Sequence, residues 1–273
     1  MLRLILFTLM LISPVYTANA ADKADLWAFW DVRDENSALT VDHSVWQQFL
    51  DAYVSQNPDN INRVAYNRAG QDGAQRQLSA YLATLAALDP RTLNANQQLA
   101  YWINLYNALT VHTTLSYPDE SSILSMGESW FRIGPWDDEL ITIAGQAVTL
   151  NDIEHRILRP IWQDHRVHFA VNCASFGCPN LNKMSFDSHN VEKLLAAGEQ
   201  AYINHPRGVH ISARGEVQVS SLFEWYQVDF ADSEEELIDY LAAHHDSLGE
   251  TLRDYQGDIE YDYDWRLNSL IER

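Results

Sequence analysis

The chain has 273 residues, with 18 Lys and Arg against 38 Asp and Glu, giving a formal net charge of −20. That balance disfavours nucleic acid and anionic membrane surfaces as partners, because both are bound through clustered Lys and Arg. Hydrophobic residues make up 47% and tryptophan occurs nine times, so the composition supports a sizeable core and excludes a disordered polymer.

Residues 1–20, MLRLILFTLMLISPVYTANA, read as a secretory signal peptide. Arg3 gives the positive start, LILFTLMLI the apolar centre, and Ala18-Asn19-Ala20 the small-x-small cleavage form. The expected location is therefore exported, periplasmic or secreted, and the setting oxidising. No later segment is apolar over the roughly 20 residues that a membrane span needs.

Residues 21–93 are expected to be a helical N-terminal part and 94–273 the core of a single domain. In chain order, DHSVWQQFLDAYV (42–54) reads as a helix capped by Asp42 or Ser44, and AQRQLSAYLATLAAL (74–88) as a second, stopped by Asp89-Pro90. NANQQLAYWINLYNALTVHTTLSY (94–117) is apolar nearly all round, the pattern of a buried central helix. ELITIAG and QAVTL suggest a hairpin through Gly145-Gln146, leading into a helix over LNDIEHRIL. RVHFAVN (166–172) alternates as a strand. VEKLLAAGEQAYIN is helical, GVHIS and EVQVS form a second hairpin, SSLFEWYQVDF and SEEELIDYLAAHHDSLGETLRDY are helices, and DIEYDYDWRLN is a last strand. The fold class is α+β, helix-rich with a small, largely antiparallel sheet.

Four of these stretches, YWINLYNALTVH, VTLNDIEHRILRP, RVHFAVNCASFGCP and SSLFEWYQVDF, occur in an order that resembles the family catalogued as domain of unknown function 547. The closing YDYDWRLN is similar to that family's last strand. The resemblance covers roughly 94–232 with the C-terminal strand and implies a fold grouping, not an activity. The order of a histidine-bearing strand before a cysteine is also similar in outline to permuted papain-like proteins, an analogy of order alone.

Both cysteines lie in NCASFGCP, at Cys173 and Cys178. In a strand, His168 and Cys173 would have opposite parity and lie about 16 Å apart, so a nucleophilic Cys173 would draw its base from another element. His155 and His112 are the candidates, with Glu154 orienting the imidazole and Asn172 offering an oxyanion donor. That set points to a cysteine-dependent hydrolase or acyl transferase acting on an amide or thioester.

The competing reading is a Cys173–Cys178 disulfide in a non-catalytic binding protein, closing a six-residue loop worth about 2 kcal/mol. A reversible redox pair is disfavoured by a spacing wider than Cys-x-x-Cys. Zinc bound by the two thiols with His155 or His168 lacks a second knuckle, so no metal and no cofactor are assigned. Asn151 and Glu154 also fit a capping box. Asn104 and His112 share a stripe of the central helix that either bonds within the core or lines a pocket, and His168 is a further binding candidate. Asp229 receives no chemistry. The expected partner is a small molecule or peptide.

Overall fold

The computed structural model describes residues 23–128 and 133–270, so the expected signal at 1–20 lies outside the described residues. Helix α1 (Ser44–Tyr53) begins where Asp42 Oδ1 accepts the Ser44 amide at 2.8 Å, and it buries Trp46, Phe49 and Leu50. The N-terminal part is not wholly helical. A hairpin of β1 (Val54–Gln56) and β2 (Asn62–Val64) follows α1, turning with Asn60 at a φ of 59°. Its strands are three residues long, too short for periodicity to show. Next come α2 (Tyr66–Gln71) and α3 (Ala74–Ala86), after which Asp89 caps a turn begun by Pro90.

The long helix α4 (Ala95–Ser116) starts at Asn94, whose Oδ1 accepts the Gln97 amide at 3.0 Å. It is buried on nearly every face, as its all-round apolar sequence predicts. A buried polar side chain must find partners, and the asparagines of α4 find them in passing loops. Asn104 donates to Phe186 O (2.7 Å) and accepts from Phe186 N (3.0 Å). Asn107 likewise donates to Ala170 O (2.9 Å) and accepts from Asn172 N (2.8 Å), which seats the approach to the thiols against the central helix.

Strands β3 (Ile141–Ile143) and β4 (Gln146–Val148) form the expected hairpin, with its turn one residue earlier, at Ala144-Gly145. Both turn residues have positive φ, 46° and 80°, the form whose twist matches paired strands. The helix after it is opened by Thr149 and Asp152, not by Asn151 and Glu154. Asp152 Oδ2 accepts from Thr149 N and Thr149 Oγ1 accepts from Asp152 N, both at 3.0 Å. Over Asp152–Leu158 the winding is π-helical, Arg159 N donating to Glu154 O, before α5 (Arg159–Trp162) resumes. The extra residue per turn rotates Glu154 and His155 together into the interior, where both are buried.

The strand expected over 166–172 is absent. Asp164 caps a 3₁₀ turn over His165–Phe169, its carboxylate accepting Arg166 N and gripping the Arg166 guanidinium. Val167, His168, Phe169, Ala170, Val171 and Asn172 are all buried, so the apparent alternation marks no solvent face. The parity argument for His168 and the papain-like order both lose their strand.

Downstream lie α6 (Val191–Ile203) and the antiparallel pair β5 (Val209–Ile211) and β6 (Val217–Ser220). They are followed by α7 (Ser221–Trp225), α8 (Gln227–Phe230), α9 (Glu234–His244) and α10 (Gly249–Asp254). The last strand, β7 (Glu260–Asp262), joins β6 in parallel, the one parallel ladder among these strands. The architecture is helix-rich α+β with sheets of two or three strands. A large core surrounds α4, and a smaller one gathers Phe169, Tyr202, Phe223, Leu237 and Leu241.

Beyond β7 the chain runs as an extended strap over three separate segments, the 174–177 loop, Val64 and Ser121, whose carbonyl accepts from Leu267 N (2.9 Å). Phe176 N donates to Arg266 O (2.6 Å) and Gly177 N to Asp264 O (2.8 Å), while Asn268 N donates to Ala174 O and Leu270 N to Val64 O. No described helix is long and apolar enough to cross a membrane.

Candidate functional site: a thiol pair under a C-terminal strap

The thiol loop is shaped by its backbone bonds. Asn172 Oδ1 accepts the Ala174 amide (2.9 Å), and Ala174 sits in the left-handed region at a φ of 62°, a conformation that costs an alanine about 1 kcal/mol. That reversal, with the strap holding Phe176 and Gly177, returns the chain so that Cys178 meets Cys173. A side-chain carbon on Gly177 would lie 2.8 Å from Asp264 N, so only glycine admits the strap this closely.

Both cysteines are free, and their sulfurs are 3.1 Å apart. A disulfide bond is about 2.05 Å long, so the bridge weighed from sequence is not formed. The wide spacing does not keep the thiols apart, because the loop doubles back. They are unequal. Cys173 is half-buried and Cys178 is buried. The two sulfurs are in hydrogen-bond contact, and Cys178 Sγ also receives the Cys173 backbone N–H (3.1 Å). Ser175 Oγ lies 3.1 Å from the Cys173 sulfur and donates to the Tyr263 hydroxyl (2.9 Å), leaving the phenol proton for the sulfur at 3.3 Å.

These donors act on the acidity of the pair. The Cys178 hydrogen bond, outweighing burial and aided by Ser175 and Tyr263, brings Cys173 down from the ordinary thiol range to about 7. Burial and the neighbouring Cys173 charge push Cys178 up. Burial, with both thiols beside it, also raises Tyr263, which keeps its proton. The result is a ready thiolate on the accessible side and a protonated partner beneath it.

A second polar cluster adjoins the pair. Tyr106 and Tyr226 are both raised by burial and by the charges of Glu154 and Cys173, so both phenols lie within electrostatic reach of each group. Tyr106 donates to Glu154 Oε2 at 3.0 Å. His168, 2% exposed, has Nε2 2.7 Å from Asp229 Oδ2 and Nδ1 3.5 Å from Glu154 Oε1, with its ring stacked on Tyr226 at 4.0 Å. Arg159 grips Asp229 through Nε (2.6 Å) and Nη2 (3.1 Å), and its Nη1 donates to His155 Nδ1 (3.1 Å). Burial opposes the Glu154 carboxylate, but His155, His168 and Tyr106 outweigh it and hold its pKa at about 2. Asp229 is likewise held low by His168 and Arg159 against burial.

The candidates expected from sequence are therefore only partly assembled. Glu154 and His168 come together, and so do Cys173 and Cys178. The hydrogen-bonding neighbours of the Cys173 sulfur are Cys178, Ser175 and Tyr263, and no imidazole is among them. His155 is engaged by Arg159, and His112 Nε2 meets Ser79 Oγ (2.9 Å) at a cavity of about 400 Å³ lined by α3, α4 and Ile141, with neither cysteine among its lining residues. The Asn172 amide donates to Pro179 O (2.7 Å), and Asn104 is committed to Phe186. No group of three or more His, Cys, Asp or Glu that could hold a metal occurs among the described residues.

Sequence reasoning passed over Ser175, Tyr263, Asp229 and Arg207. Arg207 Nη1 donates to Phe176 O and Cys178 O, each at 2.8 Å, and Nη2 to Asn180 Oδ1 at 2.9 Å. The only available signal was the clustering of polar residues in WYQVDF and YDYDW, whose partners lie 61 to 90 positions away.

No curated protein and no solved structure matches the chain. The family described as "Protein of unknown function, DUF547" matches residues 90–203, a span that holds the thiol loop, Glu154 and His168 but stops short of Arg207, Asp229 and Tyr263. It contains YWINLYNALTVH, VTLNDIEHRILRP and RVHFAVNCASFGCP, while SSLFEWYQVDF and YDYDWRLN fall beyond it. Over residues 90–203, then, the chain matches the DUF547 family, in the stretch that holds those three motifs.

Proposed function

We propose that the thiol pair performs thiol–disulfide exchange, with Cys173 attacking and Cys178 resolving. The observation that carries this reading is two free sulfurs 3.1 Å apart, the accessible one acidic and the buried one protonated. Attack requires a thiolate that solvent can reach, and resolution requires a second thiol poised beside it. The Cys173 thiolate attacks one sulfur of a substrate disulfide, forming a Cys173–substrate bond and releasing the other half as a thiolate. That thiolate takes the Cys178 proton. The Cys178 sulfur then displaces the remaining substrate thiolate from Cys173, so the protein dithiol is oxidised as the substrate disulfide is reduced.

The hydrolase or acyl-transferase reading needs a base at the Cys173 sulfur, and the groups there are a thiol, an alcohol and a phenol, none of them a base near neutral pH. Export, expected from residues 1–20, remains part of the proposal and would place the pair where disulfides persist.

The test equilibrates the protein in glutathione buffers of graded potential, alkylates what is free, and counts modified cysteines by mass spectrometry. A single two-electron transition in the range of dithiol oxidoreductases, about −120 to −270 mV, is expected, and it disappears in Cys178→Ser. Two thiols that stay alkylatable throughout the series refute the reading.

A further inference from the structure

Arg207 follows α6 and lies outside the family span, yet three of its hydrogen bonds reach the loop between Phe176 and Asn180. A guanidinium beside a buried loop is ordinarily neutralised by a carboxylate. Here its acceptors are two backbone carbonyls, a side-chain amide oxygen and, through Nε at 3.3 Å, the His205 ring. No described carboxylate forms an ion pair with it. Its charge therefore bears on whatever negative charge the loop develops, and one of the two carbonyls it holds belongs to Cys178 itself.

The exchange cycle creates a need for such a charge. In the resting dithiol Cys178 keeps its proton, since burial and the Cys173 thiolate both oppose its ionisation. Once Cys173 is bonded to substrate, its negative charge is gone. Cys178 must then lose a proton inside a buried loop that its own thiolate would charge.

We propose that Arg207 is the positioning residue for resolution: it fixes the Cys178 carbonyl and supplies the positive charge that lets the Cys178 sulfur ionise and attack Cys173. The proposal rests on the exchange reading above. Burial lowers the Arg207 pKa while Tyr202, Cys178, Tyr263 and Asp59 raise it, the Cys178 share being the reciprocal of the same interaction. An arginine remains charged through such shifts.

The experiment uses the full chain with dithiobis(nitrobenzoate), an aromatic disulfide that releases a coloured thiolate at each step. The first release reports attack by Cys173 and the second reports resolution by Cys178. Arg207→Gln is expected to slow the second release about tenfold, the equivalent of one pKa unit at Cys178. The first release should change less than about threefold. The apparent pKa of the second phase should rise, and Arg207→Lys should recover most of the lost rate by restoring charge without the fork of hydrogen bonds.

If Arg207→Gln slows both releases alike and shifts the pH midpoint of Cys173 alkylation, the residue merely holds the loop together and the proposal fails. It fails equally if the second release is unchanged. A wild-type protein that releases one equivalent and never bridges overturns the exchange reading instead, so the two failures are distinguishable.

Discussion

Replacing Cys178 by alanine removes the donor that does most to acidify Cys173, and the size of the effect follows from the geometry. A hydrogen bond to a charged group is worth about 1.5–3 kcal/mol, and one pKa unit corresponds to about 1.4 kcal/mol, so losing it raises Cys173 by about one to two units. Starting from about 7, the Cys178→Ala thiol should titrate at about 8 to 9, back in the ordinary range. At pH 7 the thiolate fraction then drops from about a half to between about 1 and 10%, and alkylation slows about 5- to 50-fold. The assay is the rate of iodoacetamide modification at Cys173 against pH, read by peptide mass spectrometry, with a thermal melt to confirm folding. Cys178→Ser keeps a shorter hydroxyl donor in place and should fall between wild type and Cys178→Ala. An unchanged midpoint in a folded Cys178→Ala protein would falsify the claim that the pair, and not the loop backbone, makes Cys173 acidic.

Tyr263→Phe should raise the Cys173 midpoint by about half a unit, less than Cys178→Ala, because the Ser175 hydroxyl it releases is 3.1 Å from the same sulfur and can donate in its place; the same alkylation series checks it. Gly177→Ala brings a methyl to 2.8 Å from Asp264 N, so a loss of about 1–3 kcal/mol in denaturant unfolding is expected, together with weaker contact between Tyr263 and the sulfur. Glu154, whose folded pKa lies below its unfolded one, stabilises the fold fully above about pH 4.5, and that contribution, on the order of 3 kcal/mol, is lost as pH falls through about 2. Unfolding free energies measured between pH 6 and 2 should therefore decline steeply in wild type and more gently in Glu154→Gln, and parallel curves would refute the assignment.

Where local rules decide, the sequence is readable. Helices α1, α3, α4 and α6 and the two central hairpins lie where caps, periodicity and turn residues place them, because each depends on neighbours a few positions apart. The segment 165–169 is misleading for a physical reason: burial on every side leaves no polar face, and alternation among Val167, Phe169 and Val171 then imitates a strand. The capping signal was present twice, and Thr149 with Asp152 forms the box because Asn151 instead donates to Asp137. Once Glu154 is free of that role, the π-helical turn carries it to Tyr106 and His168. The cysteines stand out in any reading, but their environment does not, since Tyr263, Arg207 and Asp229 reach the site across long stretches of chain. A nearby histidine was the natural guess for a cysteine's partner. The fold uses every histidine near the loop for something else and leaves acidification to a thiol, an alcohol and a phenol.

The strap carries a consequence for biosynthesis. Its residues 263–268 close over Ala174, Ser175 and Gly177, and Tyr263 completes the donor set, yet they are translated some ninety residues after the loop they cover. During synthesis the two cysteines exist for an interval on an unroofed loop that lacks the Tyr263 hydroxyl. Their donor set is complete only when residues 263–268 thread into place, so arrested or clipped chains would carry the sulfurs with weaker acidification.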